Sequence, residues 1–250
     1  MFPYRDDNPT ILTPFSTIAL IVLNVVAWGV VQGMGSEPLL SQSLCQLGLI
    51  PGELLHRVPL GTPVAVGPGV DCVLGGTASW YTPLSSMFLH GGWLHLLGNM
   101  WFLWVFGNNV EDSMGHGRFV VFYVLCGLAA AAAQILVNPG STIPMVGASG
   151  AISGVMGAYI VLYPRVKVHM LVFLFIFITR ITVPAWMMLG YWFLLQVLGG
   201  LPMLANESGG VAFWAHTGGF VTGMLVIWLF RDPELVARRL RAVSAYGTYA

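Results

Sequence analysis

The stretch Gly147–Tyr163, GASGAISGVMGAYIVLY, decides the fold. It holds no Asp, Glu, Lys or Arg, and from Ser149 it offers about 15 apolar helical residues before Pro164 ends the run. At 1.5 Å per residue that helix is only ~22 Å long, short of the ~30 Å hydrocarbon core of a bilayer. If its Tyr163 end reaches one membrane face, its Ser149 head starts ~8 Å beneath the other. Gly147, Gly150, Gly154 and Gly157 fall at spacings of 3, 4 and 3, a stripe that lets a neighbouring helix approach closely in lipid. The loop that delivers the chain to Ser149, about Asn138–Ala148, must then dip into the membrane. Non-helical backbone at that depth is tolerated only beside protein or water, so a wet cavity open to the outside is implied.

The rest of the chain agrees with a membrane setting. Charged residues make up 8% of its 250 residues and hydrophobic ones 56%, against ~25% charged in an ordinary soluble domain. A globule so poor in charge could not cover its surface in water. Disorder, a cytosolic enzyme and a nucleic-acid binder, which would need a basic patch, are excluded. Six spans are expected, at about Pro14–Val31, Gly91–Val110, Phe119–Val137, Ser149–Tyr163, Pro184–Gly200 and Val211–Phe230. The apolar run Val168–Thr179 has 12 residues, too few for a span, and is expected to be interfacial or re-entrant. With six spans and both termini cytoplasmic, nine of the ten Lys and Arg residues fall inside and only Arg57 outside, as the positive-inside rule requires. The expectation is an all-α membrane protein: a six-transmembrane-helix bundle over residues 14–230, a cytoplasmic N-terminal segment 1–13, an outer first loop 34–91 lying against the bilayer, and a basic tail 231–250 in the form of an interfacial helix.

Polar groups inside a membrane are costly and are functional candidates by default. His95 and Asn99 share one face of the second span at i, i+4, ~5 and ~11 Å below its outer end. His216 lies ~8 Å down the sixth span by the same rise. Ser149 therefore shares one layer with all three. Ala215, Gly219 and Gly223 form a small-residue stripe beside His216, so that the fourth and sixth spans can bring Ser149 and His216 within reach. A serine hydroxyl needs a base to become nucleophilic, and a neutral histidine is the usual base near pH 7. The spans hold no acid to orient that base, which leaves a Ser–His dyad rather than a triad. Ser149 sits at a helix head where free N–H groups favour developing negative charge, and His95 and Asn99 can add donors to an oxyanion. The chain holds no H-E-x-x-H motif and no Cys/His cluster of the kind that binds a structural metal.

These residues resemble the rhomboid family of intramembrane serine proteases over about residues 80–225. The resemblance rests on H-x-x-x-x-H-x-x-x-N (His90, His95, Asn99), F-G-x-x-V-E-D (Phe106–Asp112), G-A-S-G (Gly147–Gly150) and A-H-x-x-G-F (Ala215–Phe220). It implies a six-helix rhomboid bundle with Ser149 as nucleophile and His216 as general base. It implies an oxyanion hole made of His95, Asn99 and the Ser149 N–H. It further implies transmembrane protein substrates cut near the outer membrane face, no cofactor, no metal, and access gated by the fifth helix or by the loop over the site. His90 reads as a loop-holding residue and Glu111 as a structural hydrogen-bonding one. No substrate-binding residue is assigned. A catalytically silent, client-binding relative is the alternative, and such a protein is expected to lack the Ser or the His.

Two positions depart from the family pattern. Trp80 is followed by Tyr81 where an Arg is common, and Ser153 stands four residues after Ser149 where an aromatic commonly packs on the base. The stacking partner of His216 is thus unassigned. Cys45 and Cys72 both fall in the outer loop and are candidates for a disulfide, whereas Cys126 reads as a packing residue inside the third span. The compact form suggests a bacterial inner membrane.

Overall fold

The computed structural model describes residues 2–67, 70–75, 80–174, 177–204 and 211–245. Strand β1 (Phe2–Asp6) precedes α1 (Phe15–Val26), which runs on through a wider π-helical segment, Ala27–Val31. The outer region holds α2 (Leu39–Leu47), α3 (Pro51–Leu54), the hairpin β2 (Pro63–Gly67) and β3 (Val70–Val73), and α4 (Thr82–Ser85). Then follow α5 (Trp93–Met114), α6 (His116–Val137), α7 (Ser149–Leu162), strands β4 (Lys167–Leu174) and β5 (Phe177–Pro184), α8 (Ala185–Gly200), α9 (Phe213–Phe230) and α10 (Pro233–Ala245). Among the described residues, three helical stretches are long and apolar enough to cross a membrane: His116–Val137, Ala185–Leu204 and Phe213–Phe230. Phe15–Val31 and Ser149–Leu162 are apolar but shorter. The chain is an integral membrane protein, mostly helical.

The all-α expectation is corrected by two small sheets. The run expected to be interfacial or re-entrant forms the β4–β5 hairpin, and β1 adds to its edge in the order β1-β4-β5, all antiparallel. Residues 175 and 176 of that run lie outside the described residues. Its composition, rich in Val, Ile and Phe, favours extended backbone. The hairpin pairs Lys167 with Pro184, so the chain returns to the end of the bundle at which α7 stops before starting α8.

Helix α7 is the centre of the core. Ala148, Ala151, Val155, Ala158 and Tyr159 are wholly or almost wholly buried. It packs on α9 at backbone distance. A Cβ added at Gly157 would fall under 3.0 Å from Phe220 O, one at Gly219 under 3.0 Å from Gly150 O, and one at Gly223 under 3.0 Å from Gly154 O. Cys126 on α6 lies buried against Gly154.

The outer region is tied to the loop that leads into α7. Leu49 bridges to Met145, the Gly52 N–H donates to Ser141 O at 2.8 Å, and the Gly147 N–H donates to Ser86 O at 2.9 Å. A disulfide joins Cys45 to Cys72, with Cα atoms 5.6 Å apart, and so links α2 to β3.

At the opposite end a polar network closes the bundle. Helix α1 has no side-chain cap of its own, and Glu111 of α5 supplies one. Its Oε1 accepts the Ser16 N–H at 2.9 Å, while Oε2 accepts the Thr17 N–H at 2.8 Å and the Thr17 hydroxyl at 2.7 Å. These are first-turn donors that a helix cannot satisfy internally. Asp112 accepts the Ile11 and Leu12 N–H groups at 2.6 and 2.7 Å. Tyr159 donates to Asp6, and Asn8 donates to Tyr159 at 3.2 Å, pinning the segment after β1 to α7. Asp232 caps α10 through the Glu234 N–H, and Arg239 is buried with its guanidinium 4.1 Å from the Tyr163 ring centre. That cation faces the bundle rather than solvent.

Glu111 is fully buried, and hydrogen bonds to charged groups contribute roughly 1.5–3 kcal/mol each. Glu111→Ala is expected to destabilise the protein by about 3 kcal/mol, with Glu111→Gln milder because one acceptor survives. A thermal melt of the detergent-solubilised protein measures this, and an unchanged midpoint for the alanine variant would remove the cap from the account of stability.

Candidate active site

The four polar residues singled out in the spans line one cavity of about 600 Å³: His95 and Asn99 from α5, Ser149 from the head of α7, and His216 from the first turn of α9. That volume is typical of ligand pockets.

Gly147 shapes the approach. Its φ of +125° is one that an L side chain rarely adopts, and a Cβ there would sit 2.8 Å from His95 Nε2. Glycine alone turns the chain into α7 at this point and leaves the imidazole room. The turn delivers Ser149 as the first helical residue, and α7 has no side-chain cap, so its leading N–H groups are available to a ligand.

Ser149 Oγ lies 2.7 Å from His216 Nε2. The other ring nitrogen, Nδ1, lies 2.9 Å from Gln196 Oε1 on α8. An amide oxygen only accepts, so the ring proton sits on Nδ1 and Nε2 is left as the acceptor for the serine hydroxyl. On α6, Gln134 Oε1 accepts the Ala215 N–H at 3.3 Å and holds the start of α9 beside the site.

Across the cavity, the Gly91 N–H donates to His95 Nδ1 at 3.3 Å. With Nδ1 accepting, the proton of neutral His95 is on Nε2, the nitrogen beside Gly147. Asn99 Nδ2 is buried and has no hydrogen-bond partner among the described residues. A buried donor without a partner is costly and marks a position that a ligand acceptor would satisfy.

His90 lies just before α5, and its backbone is clamped at both ends by one side chain. Its N–H donates to Gln32 Oε1 at 2.7 Å and its carbonyl accepts from Gln32 Nε2 at 2.8 Å. Its ring stands edge-on to His95, with centroids 5.2 Å apart. Burial, and secondarily His95, push the His90 imidazole down to about 3, so it is neutral at physiological pH.

Ser153 is buried and donates to Ser149 O at 2.6 Å. The aromatic neighbour of His216 comes from another helix: Trp192 on α8, with ring centroids 5.9 Å apart and planes tilted by 38°. Trp192 and Gln196 both contact the imidazole, and neither was singled out from the sequence. Gln196 carried the same signal as Asn99, an amide inside an apolar span. Trp192 had no signal, being one aromatic among many.

Compared with known proteins, the chain matches the family described as Rhomboid domain over residues 77–233. It is 32% identical over 186 residues to "Rhomboid protease GluP" of Bacillus subtilis, covering 74% of this chain and 32% of that protein. It is 29% identical over 172 residues to "Rhomboid protein 1, mitochondrial" of Saccharomyces cerevisiae, covering 66% of this chain and 46% of that one. It is 29% identical over 186 residues to "RHOMBOID-like protein 6, mitochondrial" of Arabidopsis thaliana, covering 71% and 52%. The chain belongs to the rhomboid family. The matched region spans about half or less of the length of these relatives. Mitochondrial proteins stand among them beside a bacterial one, which gives no support to the expectation of a bacterial inner membrane.

Proposed function

We propose that the protein is an intramembrane serine endopeptidase that cuts transmembrane segments of other membrane proteins near the outer membrane face. The observation that carries this reading is the 2.7 Å approach of Ser149 Oγ to His216 Nε2, in a cavity that also holds His95 and Asn99. His216 Nε2 takes the Ser149 proton as Oγ attacks the scissile carbonyl carbon. The resulting oxyanion is met by His95 Nε2–H, by Asn99 Nδ2–H and by the Ser149 N–H at the positive end of α7. The imidazolium then gives its proton to the leaving amine as the C–N bond breaks, and the acyl group remains on Ser149. Water entering the cavity loses a proton to the same nitrogen as its oxygen attacks the acyl carbon; the C–Oγ bond then breaks, the imidazolium returns its proton to Ser149 Oγ, and the second product leaves with the new carboxyl group. The chemistry requires no cofactor.

In the proposed topology, α1, α5, α6, α7, α8 and α9 are the six spans and both termini are cytoplasmic. The charge distribution supports this. The Arg118–Asp232 ion pair (3.3 Å) and the burial of Arg239 on Tyr163 gather basic residues at the end where α7 stops, whereas Arg57 follows α3 in the outer region.

A fluorophosphonate probe tests the reading. Covalent labelling at Ser149, lost in Ser149→Ala, is expected with the detergent-solubilised protein. A wild-type protein that never labels and leaves model transmembrane substrates intact would refute it in favour of a silent client-binding relative.

A further inference from the structure

We infer that Gln196 on α8 is a positioning residue that completes the Ser149–His216 pair, holding the imidazole in the reactive tautomer; this rests on the reading of Ser149 and His216 as the catalytic pair.

A histidine base works only if one nitrogen is free to accept the serine proton and the ring is held in line with Oγ. In a triad an acid does this by accepting the opposite N–H. Among the described residues no acid is hydrogen-bonded to His216, and Gln196 Oε1 occupies the corresponding place, 2.9 Å from Nδ1. The amide's own orientation is set by its other end, because Nε2 donates to Trp192 O at 3.4 Å, one turn back on α8. Oxygen therefore faces the ring. The Trp192 ring, 5.9 Å from the imidazole, restricts rotation on one side. Gln196 and Trp192 lie four residues apart, on one face of α8, and that face meets the first turn of α9. A neutral acceptor suits this depth. It fixes the tautomer and accepts a stronger hydrogen bond from the imidazolium than from the neutral ring, without the cost of a buried carboxylate.

The histidine is thus assembled by three helices. Helix α9 carries it, α7 offers the hydroxyl, and α8 dictates which nitrogen meets that hydroxyl. Among the described residues, the titratable group facing His216 is His95 on α5. Gln196, Trp192 and Ser149 carry no charge near pH 7, so the pH response of the base is open to change by substitution at Gln196 alone.

The experiment compares wild type, Gln196→Met and Gln196→Glu as full-length protein in detergent, cutting a fluorogenic transmembrane peptide across a range of pH, with fluorophosphonate labelling in parallel. Met keeps the length and removes the oxygen acceptor. It is expected to lower kcat roughly tenfold, the scale of one lost hydrogen bond, with KM within about twofold of wild type because Gln196 stands behind the imidazole and is not among the residues that line the cavity. Glu keeps an acceptor and adds charge. It is expected to recover activity above the Met level and to move the acid limb of the kcat profile to higher pH, because the carboxylate favours the imidazolium. A role in packing alone would not produce that shift. The inference is overturned if Gln196→Met retains wild-type kcat, or if Gln196→Glu is no better than Met with an unmoved acid limb. Should Gln196→Met fail to fold, the Glu profile decides by the same criterion. A wild type that neither labels nor cuts overturns the function itself, an outcome distinct from variants that match an active wild type.

Discussion

Ser149→Ala is expected to reduce cleavage of a model transmembrane substrate by roughly 10⁴-fold or more, to the floor of a gel-based assay, and His216→Ala is expected to do the same. In serine proteases whose nucleophile and base act as one unit, removing either costs nearly as much as removing both. The double variant should therefore be no worse than either single one. The fold should survive. Ser149 does not cap α7, and its hydroxyl is hydrogen-bonded to His216 at 2.7 Å, so the alanine variant loses one hydrogen bond of about 1 kcal/mol. A thermal midpoint lowered by no more than about 2–4 °C with activity at the floor is the signature of lost chemistry. Undiminished cleavage by either single variant would sink the assignment. A double variant clearly worse than both singles would mean that the two residues do not act together.

The helical frame was legible because a bilayer imposes length and apolarity on each crossing. The expected fourth span begins at Ser149, as α7 does, and the expected second begins at Gly91, two residues before α5. The candidate site was legible for a related reason. A run of about 15 residues is short for a crossing, which put its expected head in the same layer as His95, Asn99 and His216, and the four side chains line one cavity. What escaped were features that depend on distant partners. The Val168–Thr179 run lacks the polar–apolar alternation that marks a half-buried strand, and its second partner strand is Phe2–Asp6, more than 150 residues away. The cap on α1 comes from Glu111 across the bundle, although its position near the end of the second span already suggested a structural role. Gln196 was overlooked for a different reason. Like Asn99 it is an amide in an apolar span, but no motif in the sequence ties the fifth span to the base. Its position opposite Nδ1 becomes visible only once α8 is set against α9.

Gly223→Ala is expected to be severely damaging for a change of one methyl group. A Cβ at Gly223 would lie under 3.0 Å from O, C and Cα of Gly154, and these are backbone atoms that no rotamer change can move. Overpacking in a core costs typically 1–3 kcal/mol and occasionally more; with backbone on the opposing side the upper end applies, about 3 kcal/mol. The catalytic consequence is larger than the stability loss alone implies. Ser149 rides on α7 and His216 on α9, so a separation of these helices opens the 2.7 Å contact directly. A displacement of about 1 Å at a reacting centre can cost roughly 10²-fold in rate. Gly190→Ala is the matched control, since a Cβ at that position on α8 meets nothing within 4 Å. In a helix interior the exchange of Gly for Ala favours the fold by about 0.5–1 kcal/mol. Thermal melts and cleavage rates of the two variants, measured side by side, should therefore diverge, with Gly223→Ala losing stability and at least ~100-fold in rate while Gly190→Ala keeps both. If Gly223→Ala proved as stable and active as Gly190→Ala, the close approach of α7 and α9 could not be what sets the distance between serine and histidine.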